Sequence, residues 1–107
     1  MIKYKFIDLF AGCGGLEDGF LQSGMYIDVA AVEWLKPQVN TLIQRLKTKW
    51  QIADASDRVM HFDIQREEEL FKGWKDEEFG RGKGLDYFIN EADGIDVIIG
   101  GPPCQAY

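Results

Sequence analysis

The chain has 107 residues, 46% of them hydrophobic and 28% charged, and a formal net charge of −6. That size suits one small domain burying roughly 65% of the surface of its unfolded chain, and no apolar run approaches the ~20 residues needed to span a bilayer. The acidic balance excludes a surface that is a nucleic-acid footprint throughout, since phosphate binding calls for clustered Lys and Arg; Cys13, Cys104 and a single histidine make neither a disulfide framework nor a zinc site, so no metal is expected and a reducing cytoplasmic setting is the default.

Lys3 to Phe10 reads as a first strand, with Tyr4, Phe6, Ile7, Leu9 and Phe10 apolar around Asp8. Near-continuous apolarity suits a parallel strand covered on both faces. Ala11 to Gly15 is a glycine-rich turn. Leu16 to Ser23 is expected as a short helix with Leu16, Phe20 and Leu21 inward, stopped by Gly24. Tyr26 to Val32 reads as a second strand ending at Glu33. Lys36 to Trp50 is the clearest helix: Val39, Leu42, Ile43, Leu46 and Trp50 recur at helical spacing, and Pro37 suits the first turn. Arg58 to Phe62 is a short third strand, followed by Asp63. Gln65 to Trp74 is expected as a helix with Leu70, Phe71 and Trp74 inward. Gly80, Gly82 and Gly84, alternating with Arg81 and Lys83, are expected as a loop. Leu85 to Ala92 reads as a helix with Leu85, Phe88 and Ile89 on one face, and Asp93-Gly94 turns into a fourth strand, Ile95 to Ile99.

Strands alternating with helices predict an α/β fold with a parallel sheet and right-handed crossovers. The expected strand order is third, second, first, fourth. The first and fourth strands then flank the switch point, where open α/β sheets carry their ligands. This order sets the glycine turn beside the Gly100-Gly101-Pro102-Pro103-Cys104-Gln105 run.

Four strand ends carry chemistry. In Asp8-Leu9-Phe10-Ala11-Gly12-Cys13-Gly14-Gly15-Leu16, the glycines permit a sharp turn, and the following helix offers amides and a positive dipole end to an anion. The same glycines also suit a turn with no ligand, and their Gly-x-Gly-Gly spacing departs from the NAD fingerprint. Glu33 suits the hydroxyls of a ribose, and Trp34 an adenine face; a solvated Glu and a half-buried Trp fit equally. Asp63 suits an exocyclic amine with Ile64 packed on the ring, although Asp after a strand is commonly a turn former. Together these ends describe a pocket for an adenosine with a charged, amino-acid-like tail. Cys104 is a candidate nucleophile on a proline-stiffened turn, against the alternative of a buried inert thiol.

The run from Asp8 to Gly15, Glu33-Trp34, Asp63-Ile64 and Gly101-Pro102-Pro103-Cys104-Gln105 resemble, in order, the first four motifs of the DNA (cytosine-5) methyltransferases. The resemblance covers nearly all the chain except residues 65–94. It implies a Rossmann-like fold that binds S-adenosyl-L-methionine, with cofactor contacts from Phe10, Ala11, Gly12, Gly14, Gly15, Leu16, Glu33, Trp34, Asp63, Ile64 and Gly101. It also implies that Cys104 is the catalytic residue, its thiolate adding to carbon 6 of a cytosine rotated out of double-stranded DNA, with Pro103 and Gln105 holding the base. Carbon 5 then takes the methyl group, and loss of its proton releases the cysteine.

The family's later glutamate, arginine and sequence-reading domain have no counterpart in these residues. The chain is therefore expected to be the N-terminal portion of a catalytic domain, completed by a C-terminal half or segment and belonging to a restriction-modification system of the bacterial cytosol. The alternatives are a cofactor-binding subunit without turnover, and a relative that methylates tRNA. A fourth strand with nothing beside it predicts a poorly stable isolated chain.

Overall fold

The computed structural model describes residues 3–10 and 14–100. Strand β1 (Tyr4–Leu9) leads to helix α1 (Gly15–Gln22), strand β2 (Tyr26–Glu33) and helix α2 (Lys36–Thr48). A one-turn helix α3 (Ala55–Arg58) precedes strand β3 (Val59–His61). Then come helix α4 (Glu67–Lys72), strands β4 (Trp74–Asp76) and β5 (Gly80–Gly82), helix α5 (Leu85–Glu91) and strand β6 (Val97–Ile99). The main sheet runs β3-β2-β1-β6 with every pairing parallel. This is the predicted order, β6 being the predicted fourth strand.

The sheet is covered on both faces, which explains strands that are apolar without alternation. On one face Val39, Leu42 and Leu46 of α2 pack with Ala31, Ala55 and Val59. On the other, Leu70 of α4 and Leu85 and Phe88 of α5 meet Ile7, Ala30, Val32, Met60 and Phe62. Pro37 lies in the first turn of α2, where its missing N–H costs no hydrogen bond.

Three expectations need correction. Helix α1 turns Leu16 outward, 45% exposed, and buries Glu17 in its place. The helix expected over residues 65–74 ends at Lys72, because Gly73 adopts φ 112, and Trp74 opens β4 instead. Phe71 is correspondingly exposed. The glycine run expected as a loop forms β5, antiparallel to β4, with Trp74 opposite Gly82. A Cβ at Gly82 would lie 2.1 Å from the Trp74 ring, so the absent side chain makes room for the indole.

Candidate functional site at the carboxyl ends of the strands

The strand register brings the predicted ligand residues to one edge. Leu9 of β1 pairs with Val32 of β2, so Phe10 and Glu33 leave neighbouring strands side by side. Glu33 pairs with His61 of β3, and the Phe62 N–H donates to the Glu33 carbonyl at 3.1 Å, which sets Asp63 next in line. Asp8 pairs with Ile99 of β6, so the chain leaves β6 beside the end of β1.

Gly100 makes that approach close. A Cβ there would lie 2.5 Å from the Leu9 carbonyl oxygen and 3.4 Å from Phe10 Cδ2. The motif resemblance singles out Gly101 and passes over Gly100; the signal was the doubled glycine directly after the strand. Phe10 itself has φ 61, a left-handed conformation that is uncommon for a bulky residue and often marks a functional turn.

At the end of β2, Glu33 is buried, and its Oε2 accepts the Leu35 N–H at 2.6 Å. This bond orients the carboxylate and closes the turn from strand to α2. Trp34 is 62% exposed, a large flat ring held open to solvent. Asp63 Oδ1 accepts the Gln65 N–H at 2.9 Å, so Asp63 does serve as a turn former. Ile64 packs against the core beneath it. Arg66 fastens the adjoining α4 and β4: its guanidinium forks onto Glu69 at 3.0 and 2.6 Å, reaches Asp76 at 2.9 Å, and lies over the Phe62 ring.

Gly14 has φ 92, and a Cβ there would come within 2.6 Å of Leu42 Cδ1, so only glycine fits this turn against α2. Gly15 begins α1 with open space where a Cβ would be. Ala11, Gly12, Gly101, Pro103, Cys104 and Gln105 lie outside the described residues.

Beneath the turn lie three carboxyls that sequence reasoning did not single out. Asp8, Glu17 and Asp28 are 1%, 0% and 2% exposed. Asp28 sits opposite Phe6, whose ring meets Phe20 of α1, so it shares α1's face of the sheet with Asp8. Their six oxygens are sealed from solvent and meet no amide, hydroxyl or cationic donor among the described residues. The hydrogen bonds open to them run between the carboxyls, from Glu17 to Asp28 and Asp8. Burial, reinforced by Asp28 and Asp8, pushes Glu17 up to about 12; burial pushes Asp8 up to about 7 against the lowering effect of its hydrogen bond with Glu17. Burial also raises Asp28, against the opposing effects of its hydrogen bond with Glu17 and of the Arg58 charge. At least one proton must therefore stay in the trio at neutral pH. The next residue, Asp18, faces α2: it accepts from Lys49 Nζ and Trp50 Nε1, both at 2.7 Å, and the Lys49 ammonium holds its carboxyl below the usual range.

Two hollows lie elsewhere. One of about 420 Å³ includes Lys5, Ile27 and Arg58 near the amino ends of the strands, and one of about 440 Å³ runs along β3 past His61, Trp74 and Phe79. Neither touches Phe10, Glu33, Trp34 or Asp63. Among the described residues no cluster of His, Cys, Asp and Glu could hold a metal ion, and no helix is long and apolar enough to cross a membrane.

The family model for C-5 cytosine-specific DNA methylases matches residues 4–107. A DNA (cytosine-5-)-methyltransferase of Aeropyrum pernix is 35% identical over 100% of this chain and 20% of its own length. A putative type II methyltransferase of Methanocaldococcus jannaschii is 35% identical over 94% of the chain and 25% of its own length. A type II methyltransferase of Herpetosiphon aurantiacus is 33% identical over 96% of the chain and 61% of its own length. The chain thus spans a fifth to a quarter of the first two relatives.

Proposed function

Since the chain belongs to the C-5 cytosine-specific DNA methylase family, we propose that it forms the methyl-donor half of an enzyme that methylates carbon 5 of cytosine in DNA. The type II names of two relatives favour a role in restriction-modification. The reading rests most on one observation: Phe10, Glu33, Trp34 and Asp63 leave three adjacent parallel strands at a common edge.

The residues at that edge suit S-adenosyl-L-methionine by the chemistry of their donors and acceptors. Glu33 is a carboxylate acceptor for ribose hydroxyls, and Trp34 offers an exposed face to adenine. Asp63 and Ile64 suit the far edge of the base, while the Gly14-Gly15 turn and the start of α1 suit the anionic methionine end. When bound, the cofactor supplies an electrophilic methyl group on a sulfonium. Cys104 is the proposed nucleophile toward cytosine carbon 6, with Pro103 and Gln105 at the base. Gly100, the residue before the Gly101–Gln105 run, lies close to Leu9 and Phe10. The residues that protonate and orient the base would come from a further segment, and so would the surface that reads double-stranded DNA; the net charge of −6 agrees with DNA contacts lying largely elsewhere.

Labelled methyl transfer to duplex DNA and to tRNA, measured on the completed enzyme, tests the reading. Cys104→Ser is expected to abolish transfer with cofactor affinity nearly unchanged. Glu33→Ala is expected to weaken cofactor binding by about 1–3 kcal/mol, the scale of lost charge-assisted hydrogen bonds. Turnover retained by Cys104→Ser would remove the nucleophile assignment, and transfer to tRNA alone would replace the substrate.

A further inference from the structure

The first turn of α1 is built against the ordinary rule for an amphipathic helix. Leu16 is 45% exposed while its neighbour Glu17 is fully buried. Glu17 reaches down between two strands to Asp8 on β1 and Asp28 on β2, themselves nearly inaccessible. We propose that Glu17 is a positioning residue for the methyl-donor pocket: its carboxyl shares a proton with Asp8 and Asp28, seats the first turn of α1 on the sheet, and couples donor affinity to the protonation of the trio. The inference rests on the reading of the strand ends as that pocket.

The placement carries the argument. Asp8 lies two residues before Phe10, Glu17 two residues after Gly15, and Asp28 five residues before Glu33 on the same strand. All three segments that the trio joins therefore continue directly into the proposed pocket. The next side chain, Asp18, ties the same turn to α2 through Lys49 and Trp50. Thus the first turn of α1 is held on one side by a pair of charged and polar donors and on the other by the buried carboxyls, while Phe20, a turn later, packs on Phe6 and Tyr26.

The surroundings offer the trio little charge compensation. The cation facing it is Arg58, whose guanidinium is engaged by the Asp28 carbonyl at 2.6 Å and by Asp54 at 3.0 Å. Asp54 adds negative charge beside Asp28, and Glu33 adds it beside Asp8. As pH rises and a further proton leaves, like charges in a sealed site repel one another. Glu17 is the member carried on a short helix, so relief comes from lifting the first turn of α1, and with it Gly14 and Gly15.

The test uses the completed enzyme and two readouts, hydrogen exchange of the amides over residues 16–19 and calorimetric binding of S-adenosyl-L-methionine. In the wild type, protection and affinity are both expected to be highest on the acid side. Both then fall through neutrality by up to about tenfold per pH unit for one proton lost. Glu17→Gln donates to both aspartates at every pH, so it keeps the acid-side affinity and flattens both profiles. Asp28→Asn removes one of the three charges and does the same, which covers the case of a misfolded Glu17→Gln. Flat wild-type profiles, or variants that keep the wild-type slope, overturn the inference. Protection that falls while affinity stays level also overturns it, since the trio would then hold the helix without serving the pocket. No donor binding by any variant at any pH overturns the pocket reading itself, and the inference with it.

Discussion

Adjacent side chains of α1 have opposite fates because the glycine turn sets the rotation of the helix about its axis. Gly14, with φ 92 and no room for a Cβ beside Leu42, fixes the start of the helix in a phase that points position 17 at the sheet and position 16 at solvent. Hydropathy favours the reverse, so the residue pattern alone misplaced Leu16. The buried trio has a consequence for stability. The folded chain keeps the Asp8 proton up to about 7, against an ordinary value of 3.8, and the Glu17 proton up to about 12, against 4.5. Between those limits the folded state binds more protons than the unfolded state, so stability falls as pH rises. The slope is expected to reach about 1.4 kcal/mol per pH unit for each retained proton. Urea denaturation from about pH 5 to about pH 8 checks this, and a free energy that rises across the window would contradict it. Trp34 belongs to the opposite class, because it is 62% exposed. Trp34→Ala is expected to leave the urea midpoint nearly unchanged and to weaken donor binding about tenfold, on the scale of a lost aromatic stacking contact.

At the scale of elements, legibility tracked length. Helix α2 shows its inward face over 13 residues, and β2 extends over 8 that are mostly apolar. Strands β4 and β5 have 3 residues each, too few to display alternation, and one of them is Gly-Arg-Gly. What holds this hairpin is tertiary: Trp74 stacks on Phe62 at 3.8 Å, Gly82 clears space for the indole, and Arg66 reaches from the start of α4 to Asp76. None of these contacts has a local signature. Gly82→Ala is therefore expected to cost about 1–3 kcal/mol of stability, because its Cβ meets an aromatic ring in a filled core. Gly80→Ala has open space around it and only an unfavourable φ of 70 to bear, so a loss of about 1 kcal/mol is expected. Thermal or urea melts of the two variants would rank them, and equal losses would remove the packing role given to Gly82.

At the scale of the sheet, β6 is the last strand among the described residues: Val97–Ile99 pairs with β1 on one side and Ile98 is 62% exposed. An apolar edge strand is a site for pairing with another segment or chain. Ile98→Lys is expected to reduce concentration-dependent association in sedimentation, with far-UV circular dichroism unchanged; a monomeric wild type with a cooperative melt well above room temperature would show that this edge needs no cover. The strands of the main sheet, the glycine turn after β1 and the acidic residues at the ends of β2 and β3 were determined by the sequence alone, because each is written in a continuous run of residues; the order of the strands followed from their alternation with helices. Three features were decided only by the tertiary structure: which face of α1 is sealed, how residues 74–82 pair, and how closely Gly100 approaches Leu9. Each depends on groups distant in the chain, and their energies of burial, packing and charge come into being only once the strands are side by side.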